Sequence, residues 1–269
     1  MDRWQTWTPL ALSGALVLWT WHAYPPLSVA LVIASLALAG CSLWSCAALL
    51  GRRAAWAFLG IGAILGWMAE QAGSTLGWLF GHYTYTDVLG PRLGAVPVVI
   101  PLMWFGLCYT GLLMASLALW RQPAPAAAGW RPLAAASLLA AMIVTAFDLG
   151  ADPYFVYVLK AWIMAEKDGQ WFGETVRGFQ GWLAVSFAIV AAFLAVARPV
   201  PAPAAAPTVR ARYAALLPLL VYAGLVVFQM AFTEPLALRV VAFFAMGIPT
   251  LVAAGAWFQW AGRVREGAA

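Results

Sequence analysis

The run "PLAAASLLAAMIVTAFDLGADP", Pro132 to Pro153, decides the fold. It is long and apolar enough for a membrane-spanning helix, for which about 20 residues suffice. Yet its end carries Asp148 and Asp152, four residues apart. An ionised Asp within a span costs about 2.5–3.5 kcal/mol, so such residues normally face a bundle interior or a cavity. A spacing of four puts both carboxyls on one helix face, about 6 Å apart along the axis. Thr145 extends the same stripe. Two buried carboxylates this close cannot both ionise cheaply, because burial and a like charge each disfavour the charged form. One should keep its proton near neutral pH. A plainer role competes for Asp152: it reads as the N-cap, with Pro153 as the first position, of a helix through "YFVYVLKAWIM".

The rest of the chain has the same character. Its 269 residues are 64% hydrophobic and only 9% charged, against roughly 25% charged in a soluble domain. The mean hydropathy is +0.85. The predicted fold is therefore all-α, a polytopic transmembrane helical bundle forming one integral membrane domain over residues 1–269. Apolar runs fall at about 8–24, 27–50, 54–80, 96–120, 132–152 with a continuation toward 164, 181–198, 213–232 and 236–261. That gives about eight spans, or seven if the first two runs, separated only by "HAYPP", are one. Ala/Pro-rich linkers occupy 121–131 and 198–211. The N-terminal "MDRWQTWTPLALSG" reads as a retained first span and not a signal peptide. No internal repeat is visible, which argues against an inverted-repeat transporter.

The net charge of +5 comes from basic residues scattered singly or in pairs between apolar runs, so it signals membrane orientation and not nucleic-acid binding. With eight spans, one side receives Arg3, Arg52, Arg53, Arg121, Arg131, Arg198, Arg210, Arg212, Arg263 and Arg265. The other receives Arg92, Lys160, Lys167, Arg177 and Arg239. This bias predicts a cytoplasmic N-terminus and puts Glu70, Asp87, Asp148, Asp152 and Glu234 toward the opposite side. Cys41, Cys46 and Cys108 lie in apolar stretches with no CxxC, as small core or lipid-facing residues would. His22 and His82 are far apart, and no HExxH, GxGxxG, Walker or nucleophile-elbow motif occurs.

Glu70 shares a helical stripe with Gly62, Gly66, Gly73 and Gly77. Such glycines let another helix approach closely, which turns Glu70 into the bundle. There it serves either an interhelical hydrogen bond or the aspartate pair. Glu234, before Pro235, reads as a helix end, and Asp87 as a loop residue. Two connections combine aromatics with Gly and Pro: "FGHYTYTDVLGPRLGAVPVVIPLMWF" (Phe80–Phe105) and "GQWFGETVRGFQGW" (Gly169–Trp182). An interfacial belt explains single aromatics, but the Gly and Pro beside them point to shaped, ordered loops.

With these blocks in view, the chain resembles the bacterial and archaeal carotenoid 1',2'-hydratases (CruF-type), a family that includes the bisanhydrobacterioruberin hydratases. The resemblance rests on "GWMAEQAGSTLGWLFGHYTYTDVLGPRLGAVPVVIPLMWF", "DLGADP" and "WFGETVRGFQGW", in that order over about residues 60–185. Thr175 and Gly178 stand where the family pattern carries Pro and Asn. The resemblance implies water addition across the terminal C1'–C2' double bond of an acyclic carotenoid end group, of lycopene, γ-carotene or bacterioruberin-precursor type. The product is a tertiary 1'-alcohol, and the enzyme a hydro-lyase without cofactor or metal in a bacterial inner membrane. The implied partners are a membrane-dissolved carotenoid, the lipid bilayer and other enzymes of the pathway, with no nucleic acid.

The residue types suit that chemistry. An isolated alkene is a poor base, so its proton must come from a pre-placed acid in a dry pocket. The resulting tertiary cation can be stabilised by aromatic faces, about 0.5–2 kcal/mol each, and by a carboxylate. Asp148 and Asp152 are the expected acid–base pair, with Glu70 tuning them or holding water. Trp67, Tyr83, Tyr85, Trp104, Trp171 and Phe172 are expected to line the end-group pocket, with Asp87, Phe105, Phe179 and Trp182 from the same stretches. Two rival readings are a carotenoid cyclase, which would exclude water, and a proton-coupled transporter.

Overall fold

The computed structural model describes residues 3–126, 129–166, 169–197 and 207–263. Helix α1 covers Arg3–Ala23, α2 Pro26–Leu50 and α3 Arg52–Leu76. Then come strands β1 (Tyr83–Tyr85), β2 (Arg92–Leu93) and β3 (Val96–Pro97), and helices α4 (Val99–Trp120) and α5 (Trp130–Pro153). Helix α5 runs on through a π-helical turn at Tyr154–Val158 to β4 (Trp162–Met164). Helices α6 (Val176–Ala197) and α7 (Val209–Phe232) follow. Helices α8 (Leu236–Val241) and α9 (Gly247–Ala261), joined by a second π turn, make the last rod.

Among the described residues this gives eight long rods, as the apolar runs predict, and the fold is an all-α polytopic bundle. Six are long and apolar enough to cross a membrane: α2, α4, α5 with its π turn, α6, α7 and the α8–α9 rod. The second half of α3 carries Glu70, Gln71, Ser74 and Thr75, which lower its apolarity; of these only Glu70 is buried. The helices begin earlier than the linkers suggest, since Trp130–Arg131 and Val209–Ala211 are already helical. Residues 198–206 of the second linker, and Lys167, Arg198 and Arg265 of the charge count, lie outside the described residues.

Helix α4 is the centre of the bundle and packs against α2, α3, α5, α6, α7 and α9. Its sequence explains this: it is apolar on every side, the pattern of a helix buried all round. Phe58 of α3 stacks on Phe193 of α6 at 4.1 Å and meets Phe105 and Tyr109 of α4 edge-on. On the glycine stripe of α3, Gly62 and Gly66 admit helix α4, whereas Gly73 and Gly77 face Phe80, His82 and Tyr83 of the following segment. A Cβ at Gly62 would lie 3.0 Å from the Phe105 backbone, and one at Gly66 would lie 2.7 Å from the Trp104 ring. Gly77 ends α3 in the left-handed conformation, where its amide reaches the carbonyls of Ala72 and Gly73.

Sequence reasoning expected ordered loops at Phe80–Phe105 and Gly169–Trp182 but no strands. The structure shows β1 paired antiparallel with β4, with Tyr83 opposite Met164 and Tyr85 opposite Trp162. The period-2 alternation of a strand buries Tyr83 and Tyr85 and leaves Thr84 outside. A second ribbon pairs β2 with β3.

Candidate active site

Asp148 and Asp152 are on the buried face of α5, and both side chains line one cavity. The N-cap expected of Asp152 is not there. Helix α5 continues through Asp152 and Pro153 into the π turn, so no helix begins at this point. Pro153 supplies no amide to the carbonyl of Leu149, four residues earlier. The indole of Trp171 fills that vacancy, donating to the Leu149 oxygen at 2.8 Å. The π turn that follows widens the helix next to the site, a placement common for such turns.

The cavity has a volume of about 50 Å³, where roughly 10–15 Å³ is enough to hold one water. Its walls come from α3, β1, α4, α5, β4 and α6. Most are apolar: Phe80, Leu89, Ile100, Met103, Phe147, Phe155, Met164 and the rings of Trp162 and Trp182. Trp182 stacks on Trp104 with ring centroids 4.3 Å apart, and Phe155 stacks on Trp162 at 5.3 Å.

Two acidic groups face each other across this aromatic interior, in different company. Glu70 is 4% exposed and accepts three hydrogen bonds. Trp104 Nε1 donates to Oε1 at 2.9 Å, Tyr85 to Oε2 at 2.7 Å, and Tyr83 also to Oε2. Burial, then the charge of Glu70, holds both phenols well above their ordinary pKa, so they remain donors. Three donors converging on one carboxyl favour its ionised form, against the burial that disfavours it. The second group is poorer in donors. Asp152 Oδ1 accepts one hydrogen bond, from Trp162 Nε1 at 3.1 Å. Asp148 is 1% exposed, and its Oδ2 has no partner among the described residues.

A third acid in this second group was not anticipated. Glu174 is 1% exposed and lies with its carboxyl against Asp152 and the Tyr157 hydroxyl. A tight turn presents it: Gly169 pairs with Gly173, and Trp171 with Glu174. At Gly173, whose φ is +94°, an added Cβ would overlap the Tyr157 hydroxyl. Burial pushes the Glu174 carboxyl up to about 7. The one sequence signal for it is an acid set among glycines and aromatics and not in a charged run. Trp162 was also missed, because its place depends on the β1–β4 pairing.

Of the residues singled out in the sequence, Glu70, Asp148, Asp152, Tyr83, Tyr85, Trp104 and Trp182 line the cavity. Other predicted pocket residues lie elsewhere. Trp67 donates from α3 to the Leu93 carbonyl at 3.1 Å. Asp87 is exposed and pairs with Arg92. Phe105 is in the core between Phe58 and Tyr109. Trp171 is committed to Leu149, with Phe172 and Phe179 edge-on against it and Phe172 partly exposed. Thr145 spends its hydroxyl on the Ala141 carbonyl. Glu234 pairs with Arg239 at the start of the last rod. Gly178 lines the cavity, and Thr175 lies in the turn before α6, accepting the Gly178 amide. No role built on an Asn at residue 178 transfers to this chain.

Fold and site together define a membrane helical bundle with an aromatic, acid-lined hollow. Residues 27–249 match the family model described as carotenoid biosynthesis protein, and the chain belongs to that family. No curated protein and no solved structure gives a significant match. Membership places the chain in carotenoid biosynthesis.

Proposed function

We propose that this protein is a carotenoid 1',2'-hydratase of the bacterial inner membrane, with a cytoplasmic N-terminus. The observation that carries the reading is the division of labour around one cavity. Glu70 is saturated with donors, while the Asp148–Asp152 pair holds a single donor and one orphaned oxygen.

On this reading Asp148, which no donor stabilises as an anion at Oδ2, carries the proton. Asp152, held by the Trp162 indole, is the carboxylate. The Asp148 O–H bond breaks as a C–H bond forms at C2' of the terminal alkene, leaving positive charge on tertiary C1'. The Glu70 carboxylate and the aromatic faces of Trp104, Trp182 and Phe155 stabilise that charge in a pocket walled mostly by apolar side chains. A water oxygen bonds to C1' and its released proton passes to Asp152. Transfer of that proton back to Asp148 restores the resting pair. The apolar walls suit an end group dissolved in the bilayer, and no cofactor is needed to balance the step.

The test is turnover of an acyclic carotenoid by the membrane-embedded protein in oxygen-18-labelled water. The expected product is a tertiary alcohol carrying the label. A cyclic product without added oxygen would replace this reading with that of a cyclase, and an unaltered carotenoid with proton flux would replace it with that of a transporter.

A further inference from the structure

Glu174 does not line the cavity, yet it is buried behind Asp152 at the point where α5 ends in its π turn. Neither of its carboxyl oxygens receives a well-formed hydrogen bond among the described residues. Such a group costs stability, most of all when it is charged, unless it carries a proton or meets water. It also meets the hydroxyl of Tyr157, a residue 43% exposed where the span gives way to loop. The order from inside to outside is therefore cavity, Asp152, Glu174, Tyr157, exterior.

We propose that Glu174 and Tyr157 form a proton port, which exchanges the proton of the buried aspartate pair with water outside the bundle. The proposal rests on reading Asp148 and Asp152 as the acid–base pair. Each transfer balances: the proton on Glu174 moves to ionised Asp152, leaving a Glu174 carboxylate. That carboxylate then takes the Tyr157 O–H proton as the phenol oxygen takes one from exterior hydronium, or from water that releases hydroxide to the bulk. Glu174 is suited to the relay because burial leaves its carboxyl titrating at about 7, where it both accepts and releases a proton near neutral pH. It is a positioning and relay residue and touches no substrate atom. Hydration itself returns a proton for each one it uses. The port serves instead to reset the pair whenever both aspartates become protonated or both ionised.

The test uses resting, full-length protein in detergent without substrate, so it stands apart from whether hydration occurs. The C=O stretch of the buried protonated carboxyl, assigned by its loss in Asp148→Asn, is followed by infrared spectroscopy after a rapid change from H₂O to D₂O. The port predicts that Glu174→Gln and Tyr157→Phe each slow the isotopic shift by about tenfold, with the band position and thermal midpoint of the Tyr157→Phe protein unchanged. Exchange as fast as wild type in either variant overturns the proposal. A failure to hydrate carotenoids alongside slowed exchange would refute the hydratase reading and leave the port standing.

Discussion

The indole nitrogen of Trp171 lies 2.8 Å from the carbonyl oxygen of Leu149, the acceptor that Pro153 leaves without its helical donor. Trp171 therefore repairs the backbone of α5 beside the aspartates and does not line the pocket. Trp171→Phe keeps most of the ring's burial but leaves a carbonyl unpaired, at a cost of about 1–3 kcal/mol. Unfolding in detergent should show that loss, with turnover per folded molecule little changed. Unaltered stability would mean that the bond contributes nothing.

Glu70→Gln keeps the shape but replaces one acceptor oxygen with an NH₂ that faces donors. Mispairing at Trp104, Tyr83 and Tyr85 should lower thermal stability. Loss of the fixed charge should lower turnover by about 100-fold or more. Tyr85→Phe, which removes one donor and leaves the carboxyl, should cost much less. Measuring both variants per folded molecule separates charge from packing, and equal losses in the two would argue against a charge role for Glu70.

The two aspartates should differ in what their amides do. Asp148→Asn leaves no donor stranded, because Oδ2 has no protein partner, and it removes one of three adjacent acids. Its melting temperature should match or exceed that of wild type while product disappears. Asp152→Asn retains an oxygen for the Trp162 indole, and with no helix starting there it loses no cap. A purely structural aspartate pair would show the reverse pattern, with product formation surviving and stability falling.

Stability should also depend on pH through Glu174. Its carboxyl has an ordinary value of 4.5 and is raised to about 7 in the folded chain. Between these values the folded state binds more protons than the unfolded one. Stability is therefore fully present below about 4.5 and declines as pH rises through the window. Glu174→Gln should flatten that decline in detergent unfolding followed from acid to neutral pH. An unchanged slope would show that Glu174 is not the titrating group.

The parts of the site legible in the sequence are those set by helical periodicity alone. Asp148 and Asp152 share a face because residues four apart do, and Glu70 points inward because the glycines on its stripe admit α4. What escaped depended on contacts between distant segments. Trp162 reaches Asp152 only after β4 pairs with β1, and Glu174 enters the cluster only through the turn at Gly169–Gly173. Composition also misled. Asp87 has the residue type and neighbourhood of a site residue, yet Arg92 pairs with it in the open. Phe105, next to Trp104, follows it by about 100° around α4 and so faces the core. The cap expected at Asp152 failed because Trp171 lets α5 tolerate Pro153.

Expression in a bacterium that accumulates an acyclic carotenoid, followed by mass analysis of its pigment, tests the central claim most directly. The account predicts a pigment heavier by one water with a tertiary hydroxyl on its end group, formed by wild type and absent with folded Asp148→Asn. Pigment of unchanged mass from a folded, membrane-inserted wild-type protein would contradict it.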